Sequence, residues 1–471
     1  MNKKLLAVAV AGALAAPGVA LAQASNVQIY GAFDMSVQQN KFSGPNTTTA
    51  LQAAQGSLDV SKSNVYNGAS RWGIRGTEDL GNGLRAFFQA EAGMFPDARP
   101  DSGSSSSGVG FLGGRNSGIG LQASWGQVMT GIWDSPYKSV MDAGTASASG
   151  ALTTFGMIMG NGDTTGTAPS AACAAVNSVG TGVAAGVASS TNSNATACGD
   201  GVEGAATSFH RRLSKTVQYW SPVWNGMQFK IATQLNNYKA STGSLTALNS
   251  TNTANIDPSL WSYSLSWTGG PFTAYGAYET HKGYNANTTS ADAGVKDTGM
   301  QLGGKWDFGP GAVTLQWERL KYGNNASSTV IGGTAAQSAA SNFTLVNWAL
   351  GGTFKIGGNG TLWGSYSKTP GRSSCGSANV VAGTLEGLCG SGSAASFLAL
   401  GYDHAMSKRT ALYATYGKIT NGQATTVAGA TVGSAYYYIA GPAGNSNVGS
   451  VSAIAAGTDV TTYAVGVKHT F

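Results

Sequence analysis

Arg71, Arg75 and Arg85 are the residues whose types and spacing first invite a chemical reading. In an extended strand alternate side chains share a face. Trp72 and Ile74 take one face, which leaves Arg71, Gly73 and Arg75 on the other; Arg85 is opposed in the same way to Leu84 and Phe88. A guanidinium stays charged at any working pH, so such a row attracts and orients anions. It makes and breaks no bond. Bond-making chemistry lacks its parts. None of the four histidines (His210, His281, His404, His469) sits in a serine motif of catalytic type, and no Gly-x-Ser-x-Gly elbow occurs. The glycines fall in turns and strands and form no phosphate-cradling loop. Cys173, Cys198, Cys375 and Cys389 have no flanking histidine. Disulfide pairing is therefore expected rather than a metal site, with neighbours in sequence the simplest of three connectivities. No cofactor is implied.

Charge and hydropathy narrow the field. Met1-Asn-Lys-Lys, an apolar run over 5–19 and Ala20-Leu21-Ala22 read as an export signal cleaved after Ala22, leaving 23–471 as one domain. Lys3 and Lys4 leave with it, so 25 basic and 21 acidic residues remain, a formal charge of +4. That is too weak, and too scattered, for a nucleic-acid partner. Charged residues are only 10 % while glycine is 69 of 471, an unusual balance for a soluble helical protein.

The elements that must carry the arginines are strands. Tyr463, Val465, Val467 and Phe471 alternate with Ala464, Gly466, Lys468 and Thr470 at the carboxy terminus. Val27, Ile29, Phe33, Met35 and Val37 do the same near the start, as do Val313, Leu315 and Trp317 further on. About sixteen such segments of about ten residues occur, the length of a tilted membrane-crossing strand. Their connections alternate between short Gly/Asn turns (79–83, 125–126, 222–226, 269–270, 309–311, 357–360, 407–408) and long polar loops (about 40–68, 94–110, 240–257, 283–296, 324–343, 370–395, 420–460). Tyr219, Trp220, Trp224, Trp306, Phe308, Tyr463 and Phe471 gather near strand ends, as interfacial girdles do. The fold class is an all-β transmembrane antiparallel barrel, its last strand closing against the first so that no backbone group is unpaired in lipid.

One connection breaks the rule: 135–209 shows no clear strand, holds Met157, Ile158 and Met159, and carries no Lys or Arg after Lys138 until Arg211. Loops this long are functional or disordered. The part up to Asp163 is read as folded into the barrel to narrow it; 164–204 reads as an exposed lobe.

Several stretches resemble the general diffusion porins of Gram-negative bacteria. They are "VQIYGAFDMSV" (27–37), "SRWGIRGTEDLGNGLRAFFQAEAG" (70–93, the most specific), "GRNSGIGLQASWGQVMTG" (114–131), "VQYWSPVWNGMQF" (217–229), "YDHAMSKRTALYATYGK" (402–418) and the terminal "VGVKHTF". The resemblance implies a sixteen-stranded homotrimeric barrel in the lipid and lipopolysaccharide of the outer membrane, passing small hydrophilic solutes and ions. A third loop would bend inward to form an eyelet, and a terminal Phe would be read by the barrel-assembly machinery. It also implies a ladder of basic wall residues facing acids or polar backbone on that loop. Arg71 and Arg115 match the eyelet arginines, although parity from Ile119 and Leu121 turns Arg115 outward unless its strand bulges. Gln218 stands where the family often has arginine; Arg212 has inward parity, higher on its strand. Lys138 also belongs to the expected lining. Asp134, Asp142 and Asp163 are the acidic candidates, a sparser set than the family's.

A modest anion preference follows from this balance. A substrate-specific channel, with Trp133, Tyr137 and Phe155 as a sliding surface, and a plugged barrel serving as adhesin or scaffold are the competing readings. An enzyme is not expected.

Overall fold

The computed structural model describes residues 26–44, 60–68, 70–94, 96, 114–143, 158–161, 209–210, 212–235, 259–282, 296–322, 343–371, 373, 394–422, 425–427, 430–432 and 459–471. The proposed export signal, the four cysteines, Phe155, Met157 and Asp163 lie outside them.

Among the described residues, seventeen hydrogen-bonded segments form one closed antiparallel sheet. They make sixteen strands, because two segments are successive pieces of one. β1 is Asn26–Ser43; β2 runs as Val60–Asn67 and then Arg71–Gly81, both paired to β1. Then follow β3 (Leu84–Gly93), β4 (Ser117–Ala123), β5 (Gly126–Asp134), β6 (Arg212–Trp220), β7 (Met227–Gln234), β8 (Ser259–Gly269), β9 (Phe272–Lys282) and β10 (Lys296–Asp307). The circuit ends with β11 (Gly311–Tyr322), β12 (Phe343–Ile356), β13 (Gly360–Thr369), β14 (Ala395–Ala405), β15 (Thr410–Asn421) and β16 (Asp459–Thr470). β16 pairs with both β15 and β1, which shuts the barrel.

The two faces follow the alternation. Val313 and Leu315 are exposed, while Thr314, Gln316 and Glu318 between and beyond them are buried. Val465 and Val467 are exposed beside a buried Ala464. Large apolar side chains therefore face out around the wall, and polar ones face in. Trp267, Phe272, Trp306, Phe354 and Tyr402 are exposed at the turn end, where an aromatic girdle belongs. Trp220 is not part of it: its indole nitrogen donates to the buried Gln218 (3.0 Å), so it turns inward. The first long loop is shorter than 40–68, since strand pairing continues to Ser43 and resumes at Val60. A small hairpin, Thr425–Val427 with Ala430–Val432, stands within the last one.

Two local features set the register. The short turns use left-handed backbone, as at Gly81, Asn82 and Gly83, which is why Gly and Asn occur there. In β2 the pairing with β1 breaks between Asn67, opposite Met35, and Arg71, opposite Ala32, a bulge of one extra residue. Gly68 donates its N–H to the Asp34 carbonyl (2.7 Å), and the Asp34 N–H donates to Ser70 Oγ (2.9 Å). The bulge inverts parity: odd-numbered Val65 faces out above it, and even-numbered Ile74 pairs with exposed Ile29 below it. Arg71 and Arg75 thereby face in.

Closure rests on a tight contact. Gly31 and Phe471 exchange N–H···O bonds of 3.1 Å each, and Phe471 packs on Phe33 at 6.1 Å between ring centres. A Cβ on Gly31 would stand 2.3 Å from the Phe471 ring and 2.7 Å from the Arg71 carbonyl. Gly31→Val is expected to destabilise the closed barrel by about 1–3 kcal/mol, the range for overpacking. The check is the urea midpoint of the heat-modifiable, compact band on gels after refolding in detergent, with Gly31→Ala intermediate.

Candidate functional site

Arg71 and Arg75 lie on β2 and Arg85 on β3; Glu91, towards the other end of β3, is the carboxylate beside Arg71. Glu91 accepts from Arg115 Nε at 2.6 Å and from the Tyr30 hydroxyl at 3.0 Å; Arg71 Nε stands 3.8 Å away. Arg115 precedes the first paired residue of β4, so strand parity does not govern it, and its side chain turns in to Glu91. Arg75 donates to Gln28 Oε1 through Nε (3.0 Å) and Nη2 (2.9 Å), with its guanidinium over the Tyr30 ring. Arg75 and Arg85 are exposed, and the Arg71 side chain keeps 35 % of its surface open.

A second carboxylate, Asp134, ends β5. Lys138 Nζ lies 2.9 Å and Arg212 Nε 3.2 Å from its Oδ1, while Asn116 Nδ2 donates to Oδ2 at 2.7 Å. Asn116 Oδ1 accepts from both Arg212 Nε (2.7 Å) and the Asp134 N–H (3.0 Å). Gln218 donates to the Asp134 carbonyl at 3.1 Å. Lys230, on β7, sits 4.0 Å over the Trp220 ring. One side of the inner wall, β2–β7, thus carries six cationic side chains (Arg71, Arg75, Arg85, Arg115, Arg212, Lys230), with Lys138 added from the loop after β5, beside three carboxylates: Glu91, Asp134 and Asp79, the cross-strand partner of Arg85. Asn116 ties Arg212 to Asp134 and is the sequence neighbour of Arg115 in the Glu91 cluster; it lies in the family-like stretch 114–131, but no charge singled it out.

The loop after β5 opens with a helix, α1 (Pro136–Ala143). Ser135 is its N-cap, accepting the Lys138 N–H at 3.0 Å, and proline takes the first position, where no N–H is needed. The helix buries Tyr137, Val140 and Met141. Tyr137 is fully buried, so it does not line a path as a sliding surface. Its hydroxyl donates to Glu318 Oε2 on β11 at 2.8 Å. The Gly160 N–H also donates to Glu318 (2.9 Å), and so does Asn347 Nδ2 (2.8 Å). Gln301 donates to the Tyr137 carbonyl at 2.6 Å, and Gln316 to the Met141 carbonyl at 3.2 Å. Phe209 stacks on His281 at 4.4 Å and packs on Tyr137 at 5.5 Å. Room for it comes from Gly299, where a Cβ would meet the Phe209 ring at 2.6 Å.

Trp133 stands edge-on to Trp220 at 6.3 Å. Asp142 faces His210 Nε2 at 2.9 Å, rather than the arginines. The carboxylates beside the wall arginines belong to the wall itself, and the charged group that α1 brings to them is the cation Lys138. Glu318 is legible beforehand only as one inward acid of a strand. Its three donors come from 137, 160 and 347, which no local pattern links.

The family described as Gram-negative porin matches residues 7–424. An outer membrane porin protein of Bordetella pertussis is 28 % identical over 443 residues, covering 88 % of this chain and 94 % of that one. Outer membrane porin protein 32 of Delftia acidovorans is 36 % identical over 132 residues, 28 % of this chain and 31 % of that one. Among solved structures, the anion-selective porin from Comamonas acidovorans superposes with a TM-score of 0.57 at 20 % identity, covering 95 % of this chain and all of that one. OmpF of Salmonella typhi in complex with daunomycin gives 0.52 at 14 % identity, over 94 % and 97 %. With a closed sixteen-stranded barrel, lipid-facing outside and polar inside, this chain belongs to the Gram-negative porins and forms a channel in the outer membrane.

Proposed function

We propose that the barrel is a water-filled pore for passive diffusion of small hydrophilic solutes and ions, with a modest preference for anions. The observation that carries this reading is the excess of cations over carboxylates on the β2–β7 wall, with Arg75 and Arg85 exposed. Charge rings set ion preference in pores, and low-dielectric walls concentrate their field. The anion-selective porin among the similar structures supports the same sign. Glu91, Asp134 and Asp79, the last opposite Arg85, offset part of the charge, hence a preference and not strict selection.

The third loop supplies the constriction in this reading. Its helix and its 158–161 segment pack against β8–β12, the side facing away from the arginines, and so narrow the lumen towards the basic wall. The remaining features belong with this reading: residues 1–22 as a removed export signal, Phe471 as the assembly signal, and a homotrimer in lipid and lipopolysaccharide. The chemistry is transport without catalysis.

Single-channel recording in a planar bilayer tests the reading. Under a KCl gradient the reversal potential is expected on the chloride side, with current steps in threes. Arg71→Glu, Arg75→Glu and Arg85→Glu together are expected to move it to the potassium side. A cation preference in the unaltered protein, or no conductance, would overturn the proposal.

Loop anchoring gives a separate expectation. Glu318→Ala leaves the Tyr137 hydroxyl, the Gly160 N–H and the Asn347 amide short of an acceptor, at about 1–3 kcal/mol for each buried group. Open-channel noise and mean conductance should rise, while the heat resistance of the barrel changes little. Glu318→Gln should fall between.

A further inference from the structure

The outward face of β11–β15 holds a groove of about 760 Å³ that ion passage does not use. Cross-strand pairing explains it. Val313, Gly352, Gly364, Leu400 and Tyr416 form one straight row across five strands, with two glycines in the middle. Gly352, Gly364 and Ala414 make a low floor; Phe354, Leu400 and Tyr416 stand around it. In lipid an apolar groove has no hydrophobic drive to fill, since acyl chains are as apolar as the wall. Residence there depends on van der Waals fit and on whatever holds the other end of the occupant.

That other end meets two lysines. Lys368 lies four residues above Gly364 on β13, and Lys418 two above Tyr416 on β15; both continue the outward parity of their strands. At 3.4 Å per residue, Lys368 is roughly 14 Å from the floor, within reach of one fatty acyl chain. Lys368 is exposed, and Lys418 shares Asp459 at 3.6 Å. A lipid-facing lysine is costly near the midplane and tolerated at the headgroup level. Both sit at the long-loop end, which faces the cell exterior. We infer that this surface seats one phosphorylated, acylated glycolipid of the outer leaflet, its acyl chain over Gly352, Gly364 and Ala414 and its phosphate between Lys368 and Lys418.

Other outward cations on the same rim, among them Lys41, Lys282, Lys296, Arg319 and Lys321, do not line the groove, so they separate a defined seat from a diffuse basic collar. The test is native mass spectrometry of the full-length folded protein in detergent, titrated with lipid A, dephosphorylated lipid A and phosphatidylethanolamine. One lipid A per chain is expected to persist. Lys368→Ala with Lys418→Ala should weaken it on the order of tenfold, and Ala414→Leu, which fills the groove with the charges intact, should also weaken it. Lys282→Ala with Lys296→Ala should leave it unchanged. Equal retention of dephosphorylated lipid A, or an equal loss in the Lys282/Lys296 variant, would overturn the proposal. So would a changed oligomer mass in Ala414→Leu with lipid A retained, since a second copy of the chain would then be the occupant.

Discussion

Everything in this molecule depends on satisfying backbone hydrogen bonds where no water can reach. An open sheet edge in hydrocarbon would leave a row of unpaired N–H and C=O groups, each too costly to expose. The chain meets this constraint by bringing its last strand to its first, through a register of twelve pairs from Ala32–Thr470 to Ser43–Asp459. Gly31 and Phe471 finish the seam at the turn end, where any side chain on residue 31 would collide with the terminal ring. Once closed, the wall can carry polar and charged groups inward, because apolar side chains already cover the outside.

The interior then divides its work between two sides. On β2–β7, cations cluster around Glu91 and Asp134, held by short bonds within the wall, with Asn116 tying Arg212 to Asp134. On β8–β12, Glu318 gathers three donors and fastens the third loop, with Tyr137, Phe209 and Leu320 sealing the contact from water. A buried carboxylate with that many neutral partners is an adhesive point for a loop. The charges of one side do not depend on the anchor of the other, except at Lys138, which belongs to the loop and reaches Asp134.

Much of the wall was legible in the sequence, because alternation in a one-sidedly solvated strand is enforced by lipid at every second residue. The turn and loop asymmetry was legible for the same reason, through Gly and Asn at left-handed positions. Legibility ended where the period broke. Reading Arg71 from Trp72 and Ile74 works only because both lie below the bulge at 68–70; read from Val65, the same arginine would point to lipid. Arg115 escaped the parity argument by preceding its strand, and Trp220 left the girdle for Gln218 and Lys230. Helix α1 is one short amphipathic stretch in a Ser/Gly-rich segment, with only Ser135-Pro136 to announce it. Its burial is decided by residues as distant as Glu318, which no local pattern predicts.

The Phe209 N–H donates to the Gly160 carbonyl at 3.0 Å, so the chain between them leaves and returns at a single stapled point. Because loop-closure entropy varies only slowly with loop length, the number of residues between two ends held in this way has little effect on the stability of the wall. The wall to which Glu318 and its three donors fasten the loop is thus insulated from changes made between those two points.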